Sequence, residues 1–164
     1  MTKISRMEEL QHRQLDLRDI ILGGQDGLVN VLGVTLGVAA ASGDTRIVLA
    51  AGLAATFAES FSMAAVAYTS SITGSHALTD ALIVGVSAIF GSVVPLIPFA
   101  LFPVSSAIGI ASAISALFLF LLGVYKAKIL GLSFWRGGLE ITIIGMAAAL
   151  IGYFVGLLFK TPGV

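Results

Sequence analysis

Five apolar segments, at 20–41, 47–72, 81–102, 104–125 and 139–159, constrain this chain more than any other feature. Each is close to or above the roughly 20 residues that cross about 30 Å of hydrocarbon at 1.5 Å per residue. Inside a bilayer every backbone N–H and C=O must be paired within the protein, and no strand-like alternation is present, so helices are the usable element. The breaks are short and carry turn chemistry: "SGDTR", "TGSHALTD", "FPVSS" and the longer "KAKILGLSFWRGG". At the third break Pro95, Pro98 and Pro103 leave a second possibility, one long hairpin kinked at its prolines. The expected fold class is an all-α membrane protein with five transmembrane helices per chain.

Composition narrows the function classes. Of 164 residues 57% are hydrophobic and 11% charged, where a soluble domain carries about a quarter charged. Nine basic and nine acidic residues cancel, so nothing in the net charge points to nucleic acid. With no cysteine there is no disulfide framework, thiolate metal site or thiol nucleophile. No Ser-His-Asp set, metalloprotease His pair or phosphate-cradling glycine loop is found, so neither an enzyme nor a resident cofactor is expected.

Basic residues orient the bundle. Lys3, Arg6, Arg13, Arg18, Lys126, Lys128 and Arg136 fall on one side of a five-span arrangement, and only Arg46 and Lys160 on the other. The side richer in Lys and Arg is cytoplasmic, which places the N-terminus there and the C-terminus across the membrane. Residues 1–19 carry Ile4, Met7, Leu10 and Leu17 near helical spacing, with Glu8, Glu9 and Arg13 on other faces. An amphipathic interfacial helix running on into the first span fits that pattern; 20–160 form the membrane domain and 161–164 a short tail.

Within the spans a few polar residues stand out. Asp26 lies about two turns, roughly 9 Å, into the first, with Asn30 four residues on along the same face. Glu59 lies near the middle of the second, with Met63 four residues later. An acid at the bilayer centre costs about 2.5–3.5 kcal/mol even on lenient insertion scales, so both are functional candidates. Bland readings compete. Asp26 could cap a helix starting at "GQDG", Glu59 could be a protonated core residue bonded to a serine, and Met63 could be core filler. Together, two carboxylates and a thioether suit a divalent cation, the sulfur favouring iron or another late first-row metal. One chain supplies too few ligands for a six-coordinate ion, whereas two chains on a two-fold axis double them. Gly23-xxx-Gly27 and Gly33-xxx-Gly37 on the first span, or Gly138, Gly145, Gly152 and Gly156 on the fifth, could form the dimer seam or pack within the chain.

"GGQDGLVNVLGVTLGVAAASGD" followed by "AGLAATFAESFSMAAVAYTSS" resembles the first two membrane helices of the vacuolar iron transporter family, in which a helix-one Asp-Gly and a helix-two Ser-Met are characteristic. Here these are Asp26-Gly27 and Ser62-Met63. "GSVVPLIPFALFP" is similar to that family's proline-containing third helix and "LLGVYKAK" to the end of its fourth. The resemblance implies five spans, a homodimer, a cytoplasmic N-terminus and export of ferrous iron from the cytosol in exchange for protons; some relatives move manganese. Two departures stand out. The Gly-Glu-Tyr that commonly follows Ser-Met is Val66-Ala67-Tyr68 here, leaving Glu59 two turns away as the replacement charge. The glutamate-rich cytoplasmic domain that many eukaryotic members insert between helices two and three is replaced by "TGSHALTD".

The expectation is therefore a homodimeric carrier for Fe2+ or Mn2+, with Asp26, Glu59, Met63 and Asn30 at the metal and protons as the exchanged ion. A low-dielectric site cannot keep two negative charges uncompensated, so protons or a dication must occupy it. A non-transporting membrane scaffold for a soluble partner is the competing class, and it lets Asp26 and Glu59 be replaced without loss. Among the remaining polar residues, His76 and Asp80 read as a solvated turn and the start of helix three, His12 as surface, and Glu140 as a favourable acid at the start of helix five. Trp135 and Tyr125 read as interfacial anchors.

Overall fold

The computed structural model describes residues 3–70 and 77–160, with side chains described at Leu17 and from Asp19 onward. The side chains of Lys3, Ile4, Arg6, Met7, Glu8, Glu9, Leu10, His12, Arg13 and Arg18, the connection holding His76, and the tail 161–164 lie outside the described residues. Five helices follow in order: α1 (Lys3–Ser42), α2 (Thr45–Ser70), α3 (Ala77–Leu101), α4 (Val104–Ile129) and α5 (Phe134–Leu158). All five contain a stretch long and apolar enough to cross a membrane; in α1 it is Asp19–Ser42. The chain is an integral, multi-pass membrane protein.

The turns show why the helices stop where they do. After Ser42, Gly43 adopts φ 63°, a conformation that costs a side-chain-bearing residue, and its N–H bonds back to the Ala39 carbonyl at 3.0 Å. Asp44 then caps α2, its Oδ1 accepting from the N–H groups of Arg46 at 2.7 Å and Ile47 at 3.3 Å. Gly131, at φ 66°, closes α4 in the same way, and the Leu132 N–H reaches over it to the Ala127 carbonyl at 2.8 Å.

Pro95 and Pro98 lie inside α3 rather than ending it, and the chain breaks at Phe102 and Pro103, so the kinked-hairpin alternative gives way to two helices. Helix α5 starts earlier than its apolar stretch, because a spanning helix does not stop where the hydrocarbon does. Lys126 and Lys128 thus sit in the last turn of α4, Arg136 in the first turn of α5, and Glu140 a turn further into α5 than its start. Asp80 lies in the first turn of α3.

Helix α1 is central and packs against each of the other four, most extensively α3. Glycines allow the close approaches. A Cβ on Gly91 would collide with the Gly24 carbonyl, one on Gly156 with the Gly37 carbonyl, and one on Gly123 with the Gly137 carbonyl. Gly23 and Gly27 meet α3 at Ser87, Ala88 and Ser92; Gly33 and Gly37 meet α5. Gly138 and Gly145 are closed off by Phe120, Val124 and Leu119 of α4. The small-residue stripes are used within the chain. Around them Leu32, Leu36, Ala39, Val48, Phe99, Ala107, Ala111 and Ala149 form one buried cluster, with Leu28, Leu119 and Ile141 forming a second. Most of the outer surface is large and apolar, as a bilayer requires: Phe61, Phe90, Leu101, Phe154 and Leu158 are all exposed.

Candidate metal-binding groove

Where α1 turns one side away from α3, it forms the floor of a long open groove of about 730 Å³. Asp26, Val29, Asn30, Gly33, Val34, Gly37, Val38 and Ala41 line that floor at the three- and four-residue spacings of a single helical face. Glu59 of α2 forms one wall; Ala148, Gly152, Val155, Gly156 and Phe159 of α5 form the other. The small residues at 33, 37, 152 and 156 let α5 lie close against α1 and keep the groove shallow at its far end.

Its polar content is concentrated at one level. Asn30 Nδ2 donates to Glu59 Oε2 at 2.6 Å, across 29 residues of chain. Asp26 lies one turn along α1 from Asn30 and is exposed to the groove. Apart from Asp26, Asn30 and Glu59 the groove is lined by apolar side chains and glycine alone. The hairpin register that sets Asn30 against Glu59 brings Met63, four residues further along α2, level with Asp26, four residues earlier on α1. Met63 is half-buried and is not one of the residues lining the groove.

The capping reading of Asp26 fails on geometry, and so does the serine partner expected for Glu59. Helix α1 runs unbroken through Gly24-Gln25-Asp26-Gly27, so Asp26 caps nothing. Glu59 is bonded by Asn30 rather than by a serine, while the adjacent Ser60 turns back to the Thr56 carbonyl at 2.6 Å.

Chemically the groove offers hard oxygen donors. Each carboxylate can give one or two oxygens to a cation, and Asn30 can bond Glu59 through Nδ2 while leaving its Oδ1 for an ion or a water. Among the described residues no group of three or more His, Asp or Glu side chains could hold a metal ion unaided. The contribution of α5 to the groove was not visible in the sequence, where Gly152 and Gly156 could equally have served a seam between chains; only their contacts with α1 distinguish the two.

Comparison with known proteins agrees with this architecture. The model of the VIT family matches residues 17–77 and 71–157, two stretches that meet at the connection between α2 and α3. An uncharacterized protein of Methanocaldococcus jannaschii is 28% identical over 167 residues, covering 84% of this chain and 87% of the archaeal one.

Proposed function

Since the chain belongs to the VIT family, a family of membrane metal-ion transporters, we propose that it carries a divalent cation, Fe2+ or Mn2+, out of the cytosol in exchange for protons. The observation that carries this reading is the Asn30–Glu59 hydrogen bond beside Asp26 in a groove open to the side of the bundle. An ionisable groove facing acyl chains would be costly, at about 2.5–3.5 kcal/mol for the acid alone. A second copy of the chain laid along α1 removes that cost. It turns two open grooves into one enclosed path and doubles the oxygens available on the two-fold axis. The seam of the homodimer would then be the groove side of α1, with α5 of each copy flanking it.

In this reading Asp26 and Glu59 bind the cation, Asn30 holds Glu59 in place and completes the oxygen set, and Met63, level with Asp26, adds the softer sulfur that favours iron over magnesium. The metal is cargo rather than a resident cofactor. Coupling follows from competition: two carboxylates in a low-dielectric path hold either protons or a dication. Loading metal on one side and protons on the other gives antiport. The basic residues of the N-terminal segment and of the α4–α5 end make that loading side the cytoplasm.

The deciding experiment is metal flux into liposomes containing the purified protein, with an indicator dye inside for the cation and a second for pH. Accumulation of Fe2+ or Mn2+ accompanied by opposite proton movement supports the assignment. A membrane scaffold predicts no flux from the parent protein.

A further inference from the structure

The groove changes character along its length, and the change has a direction. Asp26, Asn30 and Glu59 are its polar lining residues, and all three lie toward one end. From Gly33 to Ala41, about 12 Å of helix at 1.5 Å per residue, α1 offers it only glycine, valine and alanine. Over that stretch α5 contributes Val155 and Phe159 beside its own glycines. The two helices run in the same direction, since Gly33 meets Gly152 and Gly37 meets Gly156. Phe159, three residues past Gly156, therefore stands near the level of Ala41, where the α1 span ends at Ser42. It is 75% exposed there.

Nothing in that stretch can stand in for water. The carbonyls of Gly33, Gly37 and Gly152 lie inside helices, where each accepts a backbone N–H of its own helix. The hydroxyls of Thr35 and Ser42 are committed to the Val31 and Val38 carbonyls, each at 2.8 Å. A dication entering this stretch would shed hydration oxygens and be offered none in return. Hydrocarbon constrictions of this kind close a path by excluding water. The Asp26 level lies on the other side of it, only about 10 Å along the helix from Asp19, where the apolar stretch of α1 begins.

We infer that the far half of the groove is a hydrophobic gate, with Val34, Val38 and Phe159 as its closing side chains, and that this conformation opens the Asp26–Glu59 level to the cytoplasmic end alone. The inference rests on the carrier and the two-fold seam proposed above; a second copy brings the same residues to the seam, so the lining stays apolar. A carrier must keep one side shut while the other is open, or metal and protons leak past each other. Here the shut side is made of hydrocarbon rather than of an ion pair or a second set of ligands.

The chain has no cysteine, so single cysteines can report which levels are wet. Full-length variants in metal-free liposomes are treated, one side at a time, with a membrane-impermeant quaternary-ammonium methanethiosulfonate. Ser133→Cys in the α4–α5 turn and Lys160→Cys after α5 identify the two faces. Val29→Cys, beside the carboxylates, should react from the Ser133 face only, and Val38→Cys from neither face. Val34→Asn, which puts an amide into the dry stretch, or Phe159→Ala, which opens its mouth, should raise the reactivity of Val38→Cys from the Lys160 face by about tenfold or more. If Val38→Cys reacts as readily as Val29→Cys without those changes, the inference is overturned. It is also overturned if Val29→Cys is silent from the Ser133 face. Silence of Val38→Cys in both opened variants would mean a packed or lipid-covered surface, and no gate. The readout needs no transport: a parent protein that shows this pattern but moves no metal loses the carrier reading and keeps the barrier.

Discussion

Asn30 of α1 and Glu59 of α2 are joined by a 2.6 Å hydrogen bond in the wall of a groove that also holds Asp26. The donor is an amide and the acceptor a carboxylate oxygen, so the bond orients Glu59 without neutralising it. Glu59→Gln keeps an acceptor for Asn30 and removes the charge. It should leave the helical content and the detergent-solubilised assembly unchanged while removing most metal flux in liposomes. Parent-level flux from Glu59→Gln would exclude Glu59 as a ligand.

Asp26→Asn tests the other carboxylate. It preserves shape and one carbonyl donor but loses the charge and the titratable proton. Metal flux should fall by at least tenfold, with the oligomeric state by light scattering unchanged. Parent-level flux from Asp26→Asn would exclude the Asp26 carboxylate from the transport path.

Proton competition has a direction that can be checked. Lowering the pH on the metal-loading side fills the carboxylates with protons and should inhibit uptake by the parent protein, whereas acidifying the opposite side should stimulate it. A flux indifferent to the sign of the pH gradient would rule out antiport and leave an uncoupled path.

Met63 is the candidate for selectivity rather than for binding strength. Met63→Leu is close to volume-conserving and should cost less than about 1.5 kcal/mol in stability. Its effect should be seen in competition, as weaker discrimination of Fe2+ against Mg2+. Unchanged discrimination would mean that Met63, absent from the groove lining, only packs.

Packing makes its own prediction. Gly91→Ala places a methyl against the Gly24 backbone carbonyl, which no rotamer change relieves, and should destabilise by about 1–3 kcal/mol. Gly109→Ala, with nothing within 4 Å of the added carbon, should be neutral or slightly stabilising. Thermal unfolding of the two variants in the same detergent separates them; equal midpoints would contradict the close approach of α1 and α3.

Much of the fold could be read directly from the sequence because a bilayer imposes a length on each helix. The span count and the breaks at "SGDTR" and "FPVSS" match the helix ends to within a few residues. The start of α5 could not be read in that way. Trp135, Arg136 and the paired glycines 137 and 138 look like a connection, but they form the interfacial first turn of a helix whose glycines accommodate α4. For the candidate groove, helical spacing was enough to put Asp26 and Asn30 on one face. Their relation to Glu59 needed the turn geometry between α1 and α2, and the α5 wall needed to be seen in contact.

That turn has a consequence for how the family's sequences can drift. Gly43 and Asp44 are the only residues between the two helices, and they lock both ends through backbone bonds. Adding one residue to α2 ahead of Glu59 would rotate the rest of that helix by about 100° about its own axis and slide it by about 1.5 Å. Glu59 would then swing out of the groove while every apolar residue remained apolar. A short loop outside the membrane thus acts as a vernier for chemistry many ångströms away inside it, and its length is under the same constraint as the carboxylates it aligns.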